Sequence, residues 1–115
     1  MGVYEVMQIN AGRLTNIAHR GAQAVAPENT LVAGFKAYRV GADMWEFDVQ
    51  LTADKEFVVI HDSTLERTTN AEKNFPGEAD YKVNSFGLSK IKNLDAGSWF
   101  VKKDPYGQIS QGRVS

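Results

Sequence analysis

Asp43-Met44-Trp45-Glu46-Phe47-Asp48-Val49-Gln50-Leu51 alternates from end to end. Met44, Glu46, Asp48 and Gln50 fall on one face, and Trp45, Phe47, Val49 and Leu51 on the other. A period of two is the signature of a β-strand. Upstream, Thr15-Asn16-Ile17-Ala18 runs into His19-Arg20-Gly21, a short apolar strand that ends at a loop. Between the two strands, Pro27-Glu28-Asn29-Thr30 is a helix-start signal with Asn29 or Thr30 as the cap. Leu31, Phe35 and Tyr38 follow at helical spacing and Gly41 is a natural stop, so a helix is expected over residues 30–40. Its apolar stripe is expected to pack on the sheet. Strand, helix and strand within so few residues make a right-handed βαβ unit with parallel strands.

Downstream, Glu56-Phe57-Val58-Val59-Ile60-His61-Asp62 reads as a third strand. The gap before it is too short for a parallel crossover, so it must return antiparallel. With Asp54 and Lys55 as a two-residue turn, His61 is expected opposite Asp48. Later residues are loopier, with a turn at Pro76-Gly77, a short helix near residues 89–94 and another turn at Asp104-Pro105-Tyr106-Gly107. Residues 1–14 are expected to form an N-terminal arm, and residues 15–115 the domain proper.

The chain has 115 residues, no cysteine and a formal net charge of −1. Hydrophobic residues make up 43% and charged residues 23%, close to a globular average. That balance offers no electrostatic footprint for nucleic acid or an anionic membrane. Without cysteine there is no disulfide framework, thiolate nucleophile or Cys-ligated metal. No apolar run is long enough for a membrane span or a signal-peptide core, so a cytoplasmic location is expected.

Three pieces converge where parallel α/β proteins bind ligands, at the carboxyl ends of the strands. His19 and Arg20 leave the first strand, Glu46 and Asp48 share a face of the second, and His61 returns beside them. Taken singly, each has a structural explanation: a loop histidine, a solvated acidic edge, a turn hydrogen bond, a surface charge. Together they make chemical sense. Two crowded carboxylates call for a hard divalent cation. Two histidines can serve as general acid and base near neutral pH. Arg20 offers a planar fork for a phosphate oxygen. Tyr38, Trp45 and Trp99 are expected to serve packing rather than substrate stacking.

With these residues in view, the sequence resembles the glycerophosphodiester phosphodiesterase family. The matching stretches are His19-Arg20-Gly21, Pro27-Glu28-Asn29-Thr30, Glu46 to Thr52, Val58 to Asp62 with Thr64-Leu65, Arg67-Thr68-Thr69-Asn70 and Asp95 to Phe100. The resemblance implies a (β/α)₈ barrel of the TIM type that hydrolyses glycerophosphodiesters to sn-glycerol 3-phosphate and an alcohol. It implies one divalent cation, Ca²⁺ or Mg²⁺, on Glu46 and Asp48. It further implies His19 and His61 as the acid–base pair, Arg20 on the phosphate, and Glu28 and Asn29 as supports of the loop.

The family pattern departs at Lys55, where glycine is usual. It also includes a further strand carrying Glu-x-Lys, which these 115 residues do not reach. A complete barrel takes about 250 residues. Only the first part of the barrel is therefore expected, inactive by itself and prone to self-association through an open sheet edge. The competing readings are a non-catalytic half-barrel that serves as a binding or assembly module, and a related phospholipase-type phosphodiesterase.

Overall fold

The computed structural model describes residues 14–103. All but the last residue of the expected arm over residues 1–14, and the turn at residues 104–107, lie outside the described residues. Strand β1 (Ile17–His19) leads through a tight loop into helix α1 (Leu31–Arg39), which returns to strand β2 (Met44–Glu46). β1 and β2 pair in parallel, with Ile17 beside Met44, Ala18 beside Trp45 and His19 beside Glu46. The βαβ unit is thus formed as its alternation requires.

Thr30 caps α1: its hydroxyl accepts the Ala33 amide and donates to the Pro27 carbonyl. The helix does not pack as its large residues suggest. Ala33, Gly34 and Ala37 are buried, while Leu31, Phe35 and Tyr38 are exposed. The reason is close approach. A Cβ on Gly34 would stand 2.5 Å from the Trp45 ring, and one on Gly21 would stand 2.6 Å from Ala33 Cβ. Small residues let the helix sit down on Trp45 and on the β1–α1 loop. The larger side chains line an apolar groove with Trp45 instead.

The alternating stretch is interrupted at Phe47 and Asp48, after which strand β3 (Val49–Leu51) pairs antiparallel with strand β4 (Phe57–Val59). The register differs by one residue from the expected one. Val49 faces Val59 and Gln50 faces Val58, and the Ile60 amide donates to the Asp48 carbonyl. Ile60, not His61, lies opposite Asp48. The turn explains the shift. Lys55 adopts φ +64, and its amide donates to the Thr52 carbonyl while the Thr52 amide donates to the Glu56 carbonyl. This is a three-residue loop, a type I turn closed by a left-handed residue. Adding one residue to a turn moves the whole returning strand by one place.

The irregular segment builds most of the core. Ile60, Leu65, Ala71, Val83 and Phe86 cluster in the interior, with Val58, Phe75, Tyr81, Ile91 and Leu94 against them. Helix α2 (Ala71–Asn74) presents Ala71 to this cluster, and a 3₁₀ turn (Val83–Ser85) presents Val83. Phe75 stacks on Phe86 with ring centroids 5.2 Å apart. Asp54, in the hairpin loop, accepts the Leu88 amide at the start of helix α3 (Leu88–Ile91). Asp95 accepts the Gly97 and Ser98 amides, starting helix α4 (Ser98–Lys102). Bonds from Ser98 hold the Asp95 carboxyl down at about 2. The two sheets remain unclosed, and Phe47, Val49, Leu51 and Phe57 keep exposed apolar surface. No helix among the described residues is long and apolar enough to cross a membrane.

Candidate active site

Parallel pairing brings His19 and Glu46 side by side at the carboxyl ends of β1 and β2. His19 Nε2 lies 3.7 Å from Glu46 Oε2, and its Nδ1 is 2.8 Å from the Gln23 amide nitrogen. Glu46 Oε2 also accepts the Arg20 backbone amide at 3.0 Å. That amide points inward because Arg20 adopts φ +55, directly before Gly21 at φ +79. Asn29, at φ +57, is the second left-handed residue of this loop other than glycine, and its amide donates to the Arg20 carbonyl. Left-handed backbone costs an ordinary residue about 1–2 kcal/mol. Here that strain falls on Arg20, whereas asparagine enters this region readily, and both residues belong to the site.

Asp48 is fixed by Asn29 in both directions. Asn29 Nδ2 donates to Asp48 Oδ2 at 3.0 Å, and the Asp48 amide donates to Asn29 Oδ1 at 3.2 Å. Asn29 was expected as a possible helix cap; Thr30 takes that role and frees Asn29 for this bridge. The Arg20 side chain runs between the acids. Its Nη1 donates to Glu28 Oε1 at 3.3 Å, and its Nε lies 3.4 Å from Asp48 Oδ2, buried and without a hydrogen bond. The resemblance placed Arg20 on phosphate; in the structure it is held among carboxylates.

His61 stands just beyond β4. Its Nδ1 lies 2.8 Å from Asp62 Oδ1, and its carbonyl accepts the Gln50 side chain. Arg67 then joins this half of the site to the other. Its Nε and Nη2 donate to Asp62, and its Nη1 and Nη2 donate to Glu28. Glu28 therefore takes a guanidinium from each side. Arg67 holds the Glu28 carboxyl below its usual value and pushes that of Asp62 lower still. A cavity of about 80 Å³ opens beside this seam, lined in part by Glu28, Asn29, His61, Leu65 and Thr68.

Sequence alone assigns no site role to Gln23, Asp62 or Arg67. For Asp62 and Arg67 the signal was within reach, since both lie in the matched stretches. For Gln23, four residues beyond His19 in a loop, there was none.

A hard cation takes carboxylate oxygens, and Ca²⁺ takes six to eight oxygen ligands. Glu46 and Asp48 both border Arg20 and offer oxygens of that type. Two carboxylates supply only part of such a shell, and no group of three or more His, Cys, Asp or Glu side chains suited to a metal occurs among the described residues.

Residues 19–110 match the glycerophosphoryl diester phosphodiesterase family. A glycerophosphodiester phosphodiesterase of Caldanaerobacter subterraneus subsp. tengcongensis is 51% identical over 87 residues, which cover 76% of this chain and 32% of the relative. A human glycerophosphoinositol inositolphosphodiesterase is 39% identical over 90 residues, covering 78% and 17%. Among solved structures, a glycerophosphodiester phosphodiesterase from Agrobacterium tumefaciens str. C58 superposes with a TM-score of 0.66 at 39% identity, covering 89% of this chain and 45% of that one. A phosphodiesterase from Oleispira antarctica, in complex with the product sn-glycerol-3-phosphate, superposes with a TM-score of 0.69 at 35% identity, covering 85% and 35%. The chain thus spans a minor part of each relative's length, and its fold is a partial, unclosed barrel of their α/β type.

Proposed function

The chain belongs to the glycerophosphodiester phosphodiesterase family of hydrolases, and from that premise we propose that it carries the N-terminal part of the active site for metal-dependent hydrolysis of glycerophosphodiesters to sn-glycerol 3-phosphate and an alcohol. The observation that carries this reading is the register pair of His19 with Glu46, which puts a titratable imidazole beside a carboxylate at the ligand-binding ends of parallel strands.

In this reading Glu46 and Asp48 hold part of the shell of one divalent cation, Ca²⁺ or Mg²⁺. The cation neutralises the phosphoryl oxygens when bound. His19 and His61 move the protons, one to the leaving alkoxide and one from the attacking water. Arg20 adds positive charge beside the phosphate, and Glu28 and Asn29 hold Arg20 and Asp48 in place. The 115 residues alone are expected to turn over poorly, because two carboxylates hold a cation weakly.

The test uses glycerophosphocholine, follows glycerol 3-phosphate release with Ca²⁺ or Mg²⁺, and compares two proteins. One is the chain itself. The other is a chimera in which residues 19–103 replace the matching segment of the Agrobacterium enzyme. The chimera is expected to turn over and to lose at least about 100-fold on His61→Ala. Its Glu46→Ala variant is expected to need more cation. Turnover of a different phosphodiester by the chimera, with no glycerol 3-phosphate from glycerophosphocholine, would overturn the substrate assignment.

The exposed groove of Leu31, Phe35, Tyr38 and Trp45 further supports self-association of the isolated chain. Sedimentation velocity should show oligomers that dissociate on Phe35→Glu with Tyr38→Glu. A monomer with a sharp two-state unfolding transition would count against association.

A further inference from the structure

We propose that Asp62 and Arg67 are positioning residues that fix the tautomer and the direction of His61. The inference deepens the proposed function and rests on its assignment of proton transfer to His61.

The geometry is specific. Asp62 Oδ1 sits 2.8 Å from His61 Nδ1 and also accepts Arg67 Nη2 at 3.0 Å. Asp62 Oδ2 accepts Arg67 Nε at 2.7 Å. The other side of the same guanidinium grips Glu28, with Nη2 at 2.7 Å and Nη1 at 3.1 Å. Glu28 is in turn well buried, its side chain 9% exposed. One planar fork thus clamps two carboxylates, a task that lysine cannot perform.

Consequences for the imidazole follow from donor counting. Arg67 holds Asp62 far below the ordinary carboxylate range, so at neutral pH Asp62 only accepts hydrogen bonds. A neutral His61 facing it must carry its proton on Nδ1. The lone pair is then on Nε2, which turns away from Asp62 and can take a proton. Arg67 holds the carboxylate, and the carboxylate holds the ring. Without Arg67, Asp62 is a half-buried loop side chain that only His61 would still hold.

The chain contains only two histidines, so ring spectra of the ¹⁵N-histidine-labelled protein contain two systems. Solid-state spectra recorded with magic-angle spinning make the reading independent of particle size. In spectra recorded where the ring is neutral, the native chain is expected to show the His61 proton on Nδ1. Asp62→Asn keeps the shape but offers an amide donor, and should invert the tautomer ratio of His61. Arg67→Gln should give a mixture of both tautomers, and Arg67→Lys should restore the native ratio only in part. His19, held by Gln23 and Glu46 in the other loop, serves as the internal control and should not move.

An unchanged His61 tautomer in Asp62→Asn and Arg67→Gln would overturn the proposal. So would movement of both histidines in every variant, which would mark Arg67 as a general structural tie. The spectra need neither substrate nor cation. A chimera that fails to hydrolyse glycerophosphocholine would therefore sink the proposed function while leaving this result standing. A working chimera with an unmoved His61 would do the reverse.

Discussion

Asn29 bears more of the site than its place in a helix-start motif suggests. It is buried, and both ends of its amide bond to Asp48. Asn29→Ala leaves Asp48 without those partners, and a loss of about 1–3 kcal/mol is expected in urea unfolding. Asn29→Asp should cost more, because it sets one carboxylate against another. Lys55 offers the opposite test. Its positive φ is a penalty that glycine does not carry. Lys55→Gly should therefore raise stability by roughly 0.5–1 kcal/mol, measured by the same unfolding curve, with the strand register unchanged. At this scale the site residues were readable as types and spacings. What joins them was not. Arg67 and Glu28 stand 39 positions apart, and no local pattern says that their side chains meet.

Among the elements, the βαβ unit and the hairpin were legible because both follow from period and gap length. The turn was not, since its length depended on Lys55 accepting a conformation that lysine seldom takes. That single residue moved His61 out of register with Asp48. The face of α1 was misread for a related reason. Periodicity ranks large apolar residues as the buried ones, whereas the contact here is set by how closely Gly34 lets the helix approach Trp45. Gly34→Val is expected to lower stability by about 1–3 kcal/mol by forcing that contact apart. Adding Trp45→Ala should recover part of the loss, a coupling that a double-mutant cycle reads directly. In the core, Leu65→Ala should cost about 2–5 kcal/mol, since Leu65 is fully buried among Ile60, Val83 and Phe86.

For the molecule as a whole, charge links the parts that packing leaves separate. Glu28, Asp62 and Asp95 all have carboxyls lowered in the fold. A lowered carboxyl means that the unfolded chain binds more protons, so its contribution to stability is complete above the unfolded value near pH 4 and is lost as pH falls below it. The unfolding midpoint should hold steady from pH 7 to about 5 and then drop steadily toward pH 2. A midpoint that rises on acidification would contradict this account of paired and hydrogen-bonded carboxylates. Glu28 also has a dynamic consequence. It takes one guanidinium from the loop after β1 and one from the segment after β4, so a single buried anion ties the opening of one half to that of the other. Hydrogen exchange in native Glu28 protein should show the amides of α1 and of Ile60 and Leu65 opening together. In Glu28→Gln they should separate, with α1 exchanging first and the Leu65 core keeping its own slower clock.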